Sequence, residues 1–247
     1  MNEMKSKIIA NIVIALIVAL AVVLSSMILV DGIKAVKGGS NTIIVTGSAK
    51  QQITSDLIVW TGSFHAKSPA LQDAYVQLEA DKNKVLDYLV KKGVPEDKIV
   101  FSSINTNTYY VILPNGMYSS EIDYYELYQT VTISSDEIDK ITEISRKVTE
   151  LINDGVQFQS NAPQYMYTKI ADMKVTMLAE ATKDAKKRAE MIAENAGNKI
   201  GKLKYADMGV IQITPLYSNE VSDYGMNDTY SLEKEITAIV HCQFEIE

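Results

Sequence analysis

Twenty-three consecutive residues, Ile8 to Val30 (IIANIVIALIVALAVVLSSMILV), carry no charge. As a helix rising about 1.5 Å per residue they reach roughly 35 Å, enough to cross a hydrocarbon core of about 30 Å with some tilt. Lys5 and Lys7 precede the run, and no small-x-small cleavage motif follows it before Asp31-Gly32. Secretory signal cores are usually about 7 to 15 residues long, so an uncleaved transmembrane signal anchor is favoured over a cleaved signal and a secreted product. The expected layout is a cytoplasmic tail over 1–7, a single-pass anchor in the cell membrane over 8–30, a linker over 31–41 and an extracytoplasmic domain over 42–247. Lys34 and Lys37 beyond the run nearly balance Lys5 and Lys7, so the positive-inside bias is slight. The orientation rests on the short tail.

Composition suits an exported globular domain. The net charge of −7, from 31 acidic and 24 basic residues, argues against nucleic acid as a partner, because binding a polyanion requires a concentrated positive surface. The single cysteine, Cys242, excludes an intramolecular disulfide, so stability has to come from burial.

Strand and helix signals alternate along the remaining chain. Thr42 to Thr46 and Ile53 to Ala66 read as strands, rich in β-branched and aromatic residues. Ser68 and Pro69 suit a helix start, and Leu71, Tyr75, Leu78, Lys82, Val85 and Leu89 recur at helical steps until Gly93 and Pro95. Lys98 to Leu113 and Tyr124 to Ser134 predict a hairpin around Pro114-Asn115-Gly116, with a polar stretch running to Asp123. Tyr125, Leu127, Gln129, Val131 and Ile133 share one face of its second strand, and Tyr124, Glu126, Tyr128, Thr130 and Thr132 the other, which leaves one side wet. Ser134 and Glu137 form a capping-box pattern for a helix carrying Ile138, Ile141, Ile144 or Ser145, Val148 and Leu151 and closed by Gly155. A strand over Val156 to Tyr167 follows.

The longest helix is predicted over Thr168 to Ala196, where Ala181, Ala185, Ala189 and Ala193 form a small-residue stripe that lets it lie close against a sheet. A strand over Lys202 to Thr214, a polar excursion over Pro215 to Lys234 and a final strand over Glu235 to Glu247 complete the chain. In that last strand Ile236, Ala238, Val240, Cys242, Phe244 and Ile246 alternate with polar neighbours.

No spacing of residues reads as a catalytic or metal site. His241 and Cys242 are adjacent, but in a strand they point to opposite faces, making the thiol a core group and the imidazole a surface one. His65 has no carboxylate motif beside it in sequence. The charged run at Lys183 to Arg188 is interleaved with acids and reads as a solvated helix face. Tyrosine is the unusual usage: six of the fourteen lie between Tyr109 and Tyr128. Tyrosine gives large contact area at low entropic cost, so Tyr124, Tyr128 and Tyr110 are candidate interaction residues. Half-buried strand formers are the plainer explanation.

Several segments together resemble the SIMPL-domain family, formerly a domain of unknown function whose bacterial members include periplasmic immunogenic and stress-related envelope proteins. They are Ile44-Val45-Thr46-Gly47, Gly93 to Ile99 (GVPEDKI), Ile152 to Phe158 (INDGVQF) and, most specifically, Ala181 to Leu203 (ATKDAKKRAEMIAENAGNKIGKL). The resemblance covers roughly Thr42 to Glu247. It implies an α+β domain with two or three helices on antiparallel sheet, preceded here by the single transmembrane helix. It also implies an inclination to assemble, since some relatives form ring- or channel-like oligomers, and a link to oxidative-stress tolerance. Its motifs are glycines, alanines and a capped helix, and they carry over no catalytic residue.

The function expected from sequence is therefore that of a non-enzymatic, membrane-anchored extracytoplasmic module, without cofactor or metal. It would act through a homo-oligomer or an envelope protein partner. A small-molecule or peptide ligand-binding domain, using a cleft between helices and sheet, is the alternative.

Overall fold

The computed structural model describes residues 16–30, Gly32 and 41–247. Residues 16–30 form a helix, α1, whose apolar side chains are exposed throughout. Among the described residues no helix is long and apolar enough to cross a membrane. The first part of the expected anchor, residues 8–15, lies outside the described residues, as does most of the linker.

Beyond α1 the chain is α+β with sheets that are mostly antiparallel. In order it runs β1 (Thr42–Thr54), β2 (Leu57–Ser68), α2 (Leu71–Lys91), β3 (Ile99–Phe101), β4 (Asn105–Ile112), β5 (Tyr118–Ser135), α3 (Ile138–Lys147), β6 (Gln157–Ser160), β7 (Gln164–Met166), α4 (Ile170–Asn195), β8 (Ile200–Met208), β9 (Gln212–Pro215), β10 (Met226–Asn227) and β11 (Glu233–Ile246). One sheet has the order β3-β5-β2-β6, with β4 also on β5 and β7 also on β2. The other has the order β1-β11-β9-β10, with β8 also on β11, and β10 joins β9 in parallel.

The chain divides into two compact units. One comprises the described residues up to Val45 with Lys187–Ala206 and Cys242–Glu247; the other comprises Thr46–Lys186 and Asp207–His241. In the first, the Ile246 amide donates to the Asn41 carbonyl at 2.7 Å, Lys199 and Glu247 exchange backbone hydrogen bonds, and Lys204 pairs with Glu245.

The second unit holds the main core. Trp60 and Phe64 of β2, Leu78, Val85 and Leu89 of α2, Val131 and Ile133 of β5, and Ile141 and Ile144 of α3 are buried together. Gly62 makes room for the Phe158 ring, whose Cζ and Cε1 a Cβ would overlap; Phe158 in turn stacks with Trp60 and Phe64. The Trp60 indole donates to Ser160 Oγ at 3.0 Å, and that hydroxyl donates to the Ser145 carbonyl at 2.7 Å, so the buried indole N–H is paired. In the same unit α4 lies on β1 where Gly47 has no side chain: a Cβ there would stand 2.6 Å from that of Ala185. All four stripe alanines are buried, as their spacing predicts.

Several expected boundaries shift. β1 runs unbroken to Thr54, where the sequence suggests a short strand ending near Thr46. Gly47 and Ser48 read as weak strand formers, yet the sheet pairing of β1 carries the backbone through them. α2 begins at Leu71, and Ser68 Oγ accepts from the Ala70 amide just before it. Its inner row is Ala74, Leu78, Asp81, Val85 and Leu89, while Leu71 and Tyr75 are exposed. The Asp81 carboxylate enters that row because Gln77 and Lys84 donate to it at 3.0 and 3.2 Å. Ser134 stays in β5 opposite Val59, and Ser135 accepts from the Glu137 amide ahead of α3. The expected strand over 156–167 divides into β6 and β7 around Asn161-Ala162-Pro163, since proline cannot donate to a ladder.

Candidate functional site

Tyr109, Tyr124 and Tyr128 lie on the open face of the sheet that contains β2, β4 and β5, whereas Tyr125 packs against the core on the other face. Along β5, Leu127, Gln129, Val131 and Ile133 are buried while Tyr124, Glu126, Tyr128, Thr130 and Thr132 are not, the alternation read from sequence. Register then assembles the face: Lys67 of β2 stands opposite Glu126, His65 opposite Tyr128, and Tyr109 of β4 opposite Tyr124.

Tyr109 and Tyr124 stack with centroids 4.6 Å apart, and Lys67 Nζ lies 5.4 Å from the Tyr124 ring centre. Glu126 ties the group together. Its carboxylate accepts from the Tyr109 hydroxyl at 2.8 Å and meets Lys67 Nζ at 3.2 Å and His65 Nε2 at 3.9 Å. Burial is the largest single influence on Glu126 and opposes its ionisation. The Tyr109 and Lys67 hydrogen bonds and the nearby positive charges outweigh it, and the carboxyl is held below its ordinary range. The same hydrogen bond pushes the Tyr109 phenol up, and its Glu126 contact does the same for the Lys67 ammonium.

The three sequence candidates thus separate. Tyr124 belongs to this cluster, its ring stacked on that of Tyr109. Tyr128 lies farther along the same face with 37% of its surface exposed. Tyr110 follows a bulge and stands opposite Ile122 toward the hairpin tip. Sequence reading missed Tyr109, Glu126, Lys67 and His65 as a group. His65 has no carboxylate near it in the chain and acquires Glu126 only through strand pairing.

The hairpin outruns the sheet. The pairing of β2 with β5 ends at Ser68 and Tyr125, so from Tyr124 back to Tyr118 β5 is paired with β4 alone among the described residues. The polar segment after the turn is therefore strand. Gly116, at φ 81°, closes the turn by donating to the Leu113 carbonyl at 2.8 Å, and the Leu113 amide donates to Met117 at 2.8 Å.

A separate cleft of about 740 Å³ opens on the polar face of the other sheet, between Glu235, Thr237, Ile239 and His241 of β11 and the segment Ser218–Asp223. The Gln212 side chain holds that segment, donating to the Ser222 carbonyl at 2.6 Å and accepting from its amide at 3.4 Å. Lys50 and Glu235 pair at 2.6 Å at one side of the cleft, and His241 Nδ1 shares a 2.9 Å hydrogen bond with Thr46. Cys242 is buried, and burial pushes its thiol up. Among the described residues no cluster of three His, Cys, Asp or Glu side chains is placed to hold a metal ion.

With this geometry in hand, comparison with known proteins adds one decisive match: the SIMPL pattern, a protein of unknown function (DUF541), fits residues 43–244. The chain belongs to the SIMPL family. The match runs from β1 to β11, so the SIMPL domain includes both the tyrosine face and the cleft. No curated protein matches the chain. Among solved structures, an uncharacterized conserved protein from Listeria innocua is 10% identical over 80% of this chain and 92% of its own, with a TM-score of 0.21, a likeness too slight to carry an argument.

Proposed function

We propose that this SIMPL protein is a membrane-anchored, extracytoplasmic module that acts without catalysis, through assembly with further copies of itself or through an envelope protein partner. The observation that carries the reading is the tyrosine face. It is an open sheet surface with a stacked Tyr109–Tyr124 pair, and its charges are already matched around Glu126. Preordered aromatic area with internally paired charge can be covered by another protein at little cost in entropy or desolvation. Anchoring is supported by the uncharged run and by the exposed apolar side chains of α1. The test is the mass of the full-length chain in detergent by light scattering. A discrete oligomer that Tyr128→Ala shifts toward monomer is expected; a monomer for the parent chain contradicts assembly.

A ligand-binding reading is favoured by one observation, the cleft bordered by Ser218–Asp223. Its volume of about 740 Å³ is in the range of small-molecule sites. It sits between the sheet and that segment rather than between helices and sheet. A ligand there would raise Tm with increasing concentration.

A further inference from the structure

We infer that the tip of the β4–β5 hairpin dips into the surface of a zwitterionic lipid bilayer, as a second membrane contact beside the N-terminal anchor. The inference rests on the anchored reading proposed above. Three observations carry it. The first is charge: from Ile99 to Ser120, twenty-two residues contain no Asp, Glu, Lys, Arg or His. The second is shape, because beyond Tyr124 the hairpin is a two-stranded ribbon. Such a ribbon is marginal in water alone, yet this one ends in Ile112, Leu113, Met117 and Tyr118, exposed by 63%, 40%, 61% and 74%. The third is order along the ribbon, with the aliphatic turn outermost, tyrosines behind it, and the acids Glu121, Asp123 and Glu126 behind or beside those.

A flat protein partner would cover one face of the ribbon, whereas a bilayer takes in a tip from every side. The four residues from Tyr110 to the turn extend roughly 13 Å, enough to reach the boundary of headgroups and acyl chains about 5–10 Å deep. Tyrosine, like tryptophan, settles at that level. With no lysine or arginine between Lys98 and Glu121, and acids at the base, the ribbon is suited to zwitterionic lipid and repelled by anionic lipid. The eleven residues 31–41 between the apolar run and β1 span at most roughly 40 Å, which keeps the domain near the surface and makes the second contact effectively intramolecular.

The experiment uses the full-length chain, mixed from detergent into phosphatidylcholine vesicles, with an environment-sensitive fluorophore on Ile112→Cys. The buried Cys242 is controlled by labelling the parent chain, and Val175→Cys, exposed on α4, serves as a reference. Lipids carrying a spin label near the headgroup are expected to quench the Ile112→Cys probe by more than half and the Val175→Cys probe hardly at all. Replacing a third of the lipid with phosphatidylglycerol is expected to weaken that quenching. An unquenched Ile112→Cys probe in vesicles that retain the chain through a carbonate wash overturns the inference and leaves anchoring intact. A blue-shifted but unquenched probe also overturns it, pointing to a protein occupant. Undiminished quenching with the anionic lipid overturns the choice of surface. Loss of the chain in the wash refutes anchoring, separately from the quenching read beforehand.

Discussion

Replacing Gly47 with alanine puts a methyl group where the backbone of α4 already stands. The new Cβ would lie 2.6 Å from Ala185 Cβ and 2.5 Å from Ala185 N, against about 3.5–4.0 Å for an ordinary carbon contact. Helix and strand would have to part by about 1 Å. Neither neighbour is the end of a flexible side chain, so the cost falls at the upper end of the range for overpacking, about 3 kcal/mol. For a chain of this size that lowers Tm by roughly 6 to 12 °C. Thermal unfolding of the full-length protein in detergent, followed by circular dichroism, measures it. Adding Ala185→Gly removes the Cβ clash but leaves the nearby backbone and places glycine in a helix at about 1 kcal/mol, so it should recover only part of the loss. If Gly47→Ala melts with the parent chain, α4 does not pack on β1 at this point and the helix–sheet contact is misassigned.

Three other outcomes follow from polar groups. Because the Glu126 carboxyl is held below its ordinary value in the fold, its stabilisation is present above the unfolded value and lost as pH falls through the folded one. The stability difference between the parent and Glu126→Gln should therefore shrink on acidification in denaturant titrations, and a difference constant with pH would count against the cluster. Lys234, only 2% exposed, donates to the Tyr165 and Asp228 carbonyls at 2.6 and 2.5 Å, so Lys234→Met should cost about 1–3 kcal/mol by leaving both without their donor. A more stable variant would show that desolvation of the ammonium, which lowers its pKa, dominates. Ser160→Ala should cost about 1–3 kcal/mol by stranding the Trp60 indole N–H and should alter the fluorescence of this sole tryptophan; unchanged emission would contradict the hydrogen bond.

Where one face is buried and the other wet, period and burial agree, and the sequence was readable. The alternation in β5 and β11 and the alanine stripe of α4 stand as expected, and Gly93 and Gly155, both at positive φ, end their helical segments. On α2 the apolar spacing identifies Leu78, Val85 and Leu89 but takes Tyr75 and Lys82 for Ala74 and Asp81, because Asp81 counts as polar and Ala74 as indifferent, whereas Gln77 and Lys84 make the buried carboxylate tolerable. The tyrosine face was half legible. Alternation groups Tyr124 with Glu126 and Tyr128, but Lys67, His65 and Tyr109 join them only through strand register, which residues far apart in sequence do not announce. The cleft depends on Gln212 gripping Ser222, a contact between a strand and an irregular segment with no period to betray it.

The most direct test of assembly through the tyrosine face is photo-crosslinking in the membranes of cells producing the full-length chain, with a photoreactive residue at Tyr128 and, as reference, at Val175. Adducts from Tyr128 are expected at multiples of 27.4 kDa, in the membrane fraction and absent from Val175. A chain that stays at its single mass with the probe at Tyr128, or that crosslinks equally from both positions, would contradict assembly through this face.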